Sequence, residues 1–131
     1  MIVVDSSALV AILEQEPDAD RFLQILRDEP RRLVSAVTVY ETGIVIGARR
    51  GWDTVTNVMA LLDALGVEIV PFSEPYVSAA LDAYRRYGKG VHPRARLNLG
   101  DCVAYALAKS LDAPLLFKGG DFAETDVAVR V

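Results

Sequence analysis

A chain of 131 residues, 52% of them hydrophobic, can bury one sizeable core; a single domain over 1–131 is expected, with no room for a second catalytic domain. Fourteen basic against eighteen acidic residues give a net charge of −4. That balance argues against indiscriminate binding to polyanions, which rests on neutralising phosphates. One cysteine excludes an internal disulfide. With no basic leader and no apolar run of roughly 18 residues, a soluble cytoplasmic protein without a membrane span is expected.

In chain order, short β-branched runs alternate with segments of helical spacing. Ile2-Val3-Val4 reads as a first strand closed by Asp5, and a helix begins near Ala8. Pro17 and the acidic residues behind it suit the first turn of a second helix through Phe22, Leu23 and Leu26. Leu33 to Ser35 predicts the next strand, and Glu41 opens the helix after it. Val55, Val58, Met59 and Leu62 form one helical stripe. Past a strand at Val67 to Val70, Tyr76, Val77, Ala80, Leu81 and Tyr84 form another; both stripes read as core faces. A helix over Val103 to Leu111, with Cys102 as a packing residue, precedes strands at Leu115 to Phe117 and Val127 to Val129. Strands this short, separated by helices, form a small parallel sheet covered on both faces, an α/β architecture.

Four carboxylates fall where such a fold places its ligands. In an open parallel sheet, ligands bind outside the carboxyl ends of the strands, and the crossover helices begin at that same edge. Asp5 and Asp121 follow strands while Glu41 and Asp101 open helices, so all four converge on one rim. Carboxylates about 4 Å apart repel by roughly 4 kcal/mol per pair at an effective dielectric of 20. A hard divalent cation relieves that cost, and Mg²⁺ is usually held by one or two carboxylates with waters and phosphate oxygens. Each acid also has a purely structural reading: Asp5 or Asp101 as a helix cap, Thr38 with Glu41 as a capping box, Asp121 as part of a Gly119-Gly120-Asp121 turn.

The cations are unevenly placed. Arg85, Arg86, Lys89, His92, Arg94 and Arg96 fall within twelve residues, and Gly88, Gly90 and Pro93 mark the middle of that stretch as a loop. It is either a solvated loop or, beside the acidic rim, a holder for a phosphate backbone. Lys118 either contacts substrate or pairs with a rim carboxylate.

Val4-Asp5-Ser6-Ser7-Ala8-Leu9-Val10 resembles the Asp-x-Ser opening of PIN-domain nucleases, and Ser35-Ala36-Val37-Thr38-Val39-Tyr40-Glu41 resembles their second motif. Leu97-Asn98-Leu99-Gly100-Asp101-Cys102 and Leu116-Phe117-Lys118-Gly119-Gly120-Asp121-Phe122, with Thr125-Asp126 behind them, are similar to the third and fourth motifs of the VapC toxins of VapBC toxin-antitoxin systems. The resemblance covers essentially the whole chain, in order. It implies a PIN domain with strand order 3-2-1-4-5, metal-binding roles for Asp5, Glu41, Asp101 and Asp121, and in Ser7 a hydroxyl that orients the metal site.

The function implied is a Mg²⁺- or Mn²⁺-dependent endoribonuclease toxin that acts on RNA. It also implies a homodimer, held inactive by a VapB-like antitoxin whose tail lies over the rim. Leu9, Val10 and Leu13 with the Phe22 to Leu26 segment are the apolar faces expected to receive that tail. Two other readings compete. A non-catalytic partner-binding module suits the short acidic chain, and a haloacid-dehalogenase-like phosphohydrolase suits a strand ending in Asp with a later Lys, but its second nucleophile-loop Asp is Ser7 here.

Overall fold

The computed structural model describes residues 1–130; Val131, the last residue of the expected domain, lies outside them. Four strands, β1 (Ile2–Val4), β2 (Arg32–Ser35), β3 (Val67–Val70) and β4 (Leu115–Leu116), pair in parallel in the order β3-β2-β1-β4. Val127 to Val129 lies beside β4, where a fifth strand is expected, but among the described residues it makes one bridge, between Leu115 and Val129. At Lys118 the backbone N–H donates to Ser7 Oγ at 2.9 Å, which turns the chain out of the sheet after Phe117.

Pleating divides the strands between two cores. Ile2, Val4, Val34 and Leu116 face helices α1 (Ser6–Leu13), α2 (Ala19–Asp28), α3 (Ala36–Arg50) and α4 (Thr56–Leu65). Val3, Leu33 and Leu115 face α5 (Glu74–Tyr87) and α6 (Leu99–Ser110), with Cys102 buried among them. Burial on both faces explains why β1, β2 and β4 read as continuous apolar runs instead of alternating ones. Among the described residues, no helix is long and apolar enough to cross a membrane.

Three sequence expectations change. The α5 stripe is a core face only in part: Tyr76 and Ala80 pack against the core, but Val77, Leu81 and Tyr84 remain exposed. The helix is rotated so that Tyr76, Ala80, Ala83 and Tyr87 face the core, leaving the others along a groove shared with Leu99 and Val103. Met59 is likewise exposed on α4, whose buried positions are Val58, Leu62 and Leu65. Leu9, Val10, Phe22 and Leu26 are buried in the core between α1 and α2, so those faces are already filled and only Leu13 and Leu23 stay partly accessible.

Gly47 on α3 provides a test of packing. A Cβ there would overlap the indole of Trp52, whereas one at Gly43 would make ordinary contact with Val55. Gly47→Ala is therefore expected to push Trp52 outward and cost about 1–3 kcal/mol. Gly43→Ala should be neutral or stabilising, since Ala is the better helix former by roughly 0.5–1 kcal/mol. Trp52 is the only tryptophan, so urea unfolding followed by its fluorescence separates the two. A red-shifted, less stable Gly47→Ala is the expected outcome, and equal midpoints would refute it.

Candidate active site

The site begins at the end of β1. Asp5 leaves the strand in extended conformation and serves as the N-cap of α1, its carboxylate accepting from Ser7 N–H at 3.1 Å. Ser7 Oγ donates to the same Asp5 Oδ2 at 2.6 Å while accepting the Lys118 N–H. One hydroxyl thus ties the carboxyl ends of β1 and β4 together and fixes the orientation of Asp5. The second oxygen, Asp5 Oδ1, is buried and has no hydrogen-bond partner. An orphaned buried carboxylate oxygen is costly, and burial, more than the neighbouring Glu41 charge, pushes the Asp5 carboxyl up to about 6.

Asp101 sits at the start of α6. Asn98 caps that helix, accepting from Asp101 N–H at 2.8 Å, and the Asp101 carboxylate accepts from Asn98 N–H at 3.0 Å. The capping reading is therefore true of Asp101, as the third residue of a reciprocal capping box. It does not exhaust the residue. Asp101 is only 8% exposed, and its carboxyl is pushed up to about 7, first by burial and then by the charges of Asp5, Asp121 and Glu41. Those last three causes place every rim acid in one electrostatic field.

Glu41 differs from its expected place. Ser35 caps α3, so Glu41 lies in the second turn of that helix and Thr38 is not the start of a capping box; the Thr38 C=O accepts instead from Thr42 Oγ1 at 2.7 Å. The Glu41 carboxylate rests directly on Gly100, where any Cβ would overlap Oε2. This close approach carries Glu41 across to the helix of Asp101. Asp121 is exposed in the turn following β4 and acts on Asp101 as charge.

Lys118 pairs with neither Asp5 nor Asp101. Its ammonium meets Glu16 at 3.3 Å and Asp18 at 3.6 Å, in the connection between α1 and α2. His92 is turned inward to its own loop, with Nδ1 accepting from the N–H groups of Arg94 and Ala95. Arg85 pairs with Asp82; Arg86 lies between Asp82 and Asp126, over the Tyr87 ring.

Sequence reasoning passed over Gly100 and Asn98. Both carried a signal: a glycine in a first helical turn suggests close approach, and Asn-x-x-Asp before an apolar run is a capping pattern. It also passed over the clasp in which Tyr105 donates to Asp126, which in turn receives Lys109 at 3.3 Å. Those partners are 21 residues apart, and no local pattern announces them.

Among the described residues, no three His, Cys, Asp or Glu side chains stand together as a set that could hold a metal ion by themselves. Mg²⁺ does not require one, because waters and substrate oxygens complete its shell. The residues present fit such an ion in three respects. Their donors are all hard oxygens, Asp5 Oδ1 is buried without a partner among the described residues, and burial together with neighbouring acids disfavours ionisation of Asp5 and Asp101.

A parallel sheet with acids gathered at its carboxyl edge defines the class of a carboxylate-site α/β protein. The family model for the PIN domain matches residues 2–128. Over 127 residues the chain is 48% identical to Ribonuclease VapC of Mycolicibacterium smegmatis, covering 97% of this chain and 98% of that one. The structure of VapC20 of Mycobacterium tuberculosis, described as a Sarcin-Ricin loop cleaving toxin, superposes with a TM-score of 0.79 at 14% identity, covering 98% and 97% of the two chains. A toxin-antitoxin complex from Klebsiella pneumoniae superposes at 0.73 with 18% identity, covering 99% and 97%. The chain belongs to the PIN-domain family, in its VapC branch, and the phosphohydrolase reading falls.

Proposed function

We propose that this protein is a Mg²⁺-dependent endoribonuclease and the toxin of a toxin-antitoxin pair. The observation that carries the reading is geometric: Asp5 Oδ1 is buried without a partner at the end of β1, and the Glu41 carboxylate rests on Gly100, next to Asp101 in the first turn of α6. Names of relatives support it, since the Mycolicibacterium smegmatis protein is called a ribonuclease.

Asp5 and Asp101 would hold the ion. When bound, it supplies charge stabilisation to the phosphate oxygens and lowers the pKa of a water. Ser7 keeps Asp5 in one orientation, and the Asn98 bond does the same for Asp101. Glu41, braced on Gly100, would accept a proton from the attacking water, whose oxygen forms the new bond to phosphorus as the bond to the ribose oxygen breaks in line and that oxygen takes a proton from solvent. Asp121, in the exposed turn, helps to hold that water. Mn²⁺ fits the same oxygen donors.

For partners we propose a VapB-like antitoxin and a second copy of this chain. The acidic rim suits an inserted Arg or Lys from the antitoxin, in a charge-assisted pair. The exposed stripe of Val77, Leu81, Tyr84 and Leu99 suits the homodimer, because contiguous apolar surface on a soluble protein marks an interaction site. The experiment is RNA cleavage under titration with Mg²⁺, then with chelator, then with the co-expressed antitoxin. Cleavage that needs the metal and stops at stoichiometric antitoxin is expected. Metal-loaded protein that binds RNA without cutting it would return the chain to a partner-binding module.

A further inference from the structure

The fourteen lysines and arginines divide into two groups. Nine meet a carboxylate: Arg21, Arg31, Arg49, Arg50, Arg85, Arg86, Lys109, Lys118 and Arg130. A tenth, Arg32, donates to the carbonyls of Leu26 and Glu29. Among the described residues only Arg27, Lys89, Arg94 and Arg96 have neither. Three of those four sit on one loop of eight residues, in a protein whose acids outnumber its bases. A solvated surface gives no reason for the unpaired cations to gather there while the rest find partners.

The loop is also held in shape before anything binds. Lys89 N–H donates to Leu97 C=O at 3.0 Å and Leu97 N–H to Tyr87 C=O at 3.1 Å, closing its two ends. Inside, His92 Nδ1 gathers two backbone N–H groups, and Ala95 and Leu97 are buried as anchors. The three cationic side chains remain exposed. Ordering a flexible loop costs about 1–2 kcal/mol per residue, and here that cost is already met in folding.

Its position follows from connectivity. Arg96 precedes by two residues Asn98, whose side chain bonds to the backbone of Asp101. With consecutive Cα atoms about 3.8 Å apart and helical positions three apart at about 5 Å, Arg96 begins within about 13 Å of Asp101.

We infer that Lys89, Arg94 and Arg96 form a phosphate-binding site for the RNA strand flanking the bond that is cut, while Arg85 and Arg86 serve the fold. This rests on the nuclease reading and narrows it. The five arginines and lysines of the stretch act as two sets, Arg85 and Arg86 neutralised by Asp82 and Asp126, and Lys89, Arg94 and Arg96 left for substrate.

The test compares kcat/KM for an unstructured RNA oligonucleotide, across sodium chloride concentrations, in the wild type, K89Q/R94Q/R96Q, R94K/R96K and R85Q, each checked for a native melting curve. Single-stranded RNA contributes about 0.7 to the logarithmic salt slope per phosphate contact. The triple variant should therefore lose about 2 from that slope, with the deficit greatest at low salt. R94K/R96K should keep the wild-type slope, and so should R85Q. If the triple variant retains the slope, or R85Q loses as much, the loop assignment is wrong although the nuclease reading stands. If the wild type does not cleave RNA with Mg²⁺ present, both fall together.

Discussion

Asp101→Asn and Asp5→Asn are each expected to lower RNA cleavage by about 10²–10³-fold, the loss of several kcal/mol of charge stabilisation at the phosphate, while raising the stability of the metal-free protein. In Asp101→Asn the remaining side-chain oxygen can still accept the Asn98 N–H, so the capping box survives. The gain in stability follows from the direction of the shifts. Unfolded, both carboxyls ionise near 3.8; folded, they do so near 6 and 7. Between those values the folded chain holds more protons than the unfolded one, so stability is greatest in acid and declines as pH climbs from about 4 to about 7. For Asp5 the loss at neutral pH is on the order of 3 kcal/mol. Melting temperatures from pH 5 to pH 8 in chelator should fall for the wild type and fall less for either variant. Added Mg²⁺ should raise the wild-type melting temperature, as any ligand of the folded state does, and leave Asp101→Asn unmoved. A wild-type curve that rises toward pH 8 without metal would contradict the raised carboxyls.

Gly100→Ala is expected to separate activity from stability in the other direction. Its Cβ would occupy the position of the Glu41 carboxylate, the mobile end of a long side chain that can swing away. The backbone of α6 need not move, and Ala favours the helix by roughly 0.5–1 kcal/mol. Stability should thus hold or rise slightly. Cleavage should drop about 100-fold, the effect of displacing a catalytic group by about 1 Å. Glu41→Gln should drop it similarly, and adding Gly100→Ala to Glu41→Gln should cost little more, because both remove the same group. Additive losses in the double variant would show that Gly100 acts through the helix and not through Glu41.

Much of the architecture was legible because it depends on neighbours in sequence. The apolar runs of β1 and β2 and the four acids after strands or near helix starts are local patterns, while the sheet order 3-2-1-4 follows the order that the family resemblance implies. Glu41 keeps its place at the rim although it lies one turn deeper in α3 than expected, since one extra turn leaves it at the same end of the helix. What stayed hidden depends on distant contacts. The exposed face of α5 followed from how that helix rolls against α6, not from its own periodicity. Likewise, the six basic residues from Arg85 to Arg96 look alike in sequence, and only folding brings Asp126 to Arg86 while leaving Lys89, Arg94 and Arg96 without a carboxylate partner among the described residues.

By itself, then, the sequence determined the alternation of elements and the chemical kind of the site, because period and residue type act over a few positions. Tertiary structure alone decided which oxygen of Asp5 is left free, which glycine braces Glu41 and which cations stay available. Those outcomes rest on groups that meet across long separations, as Ser7 and Lys118 do across 111 residues, and burial at that junction is what raises the Asp5 carboxyl.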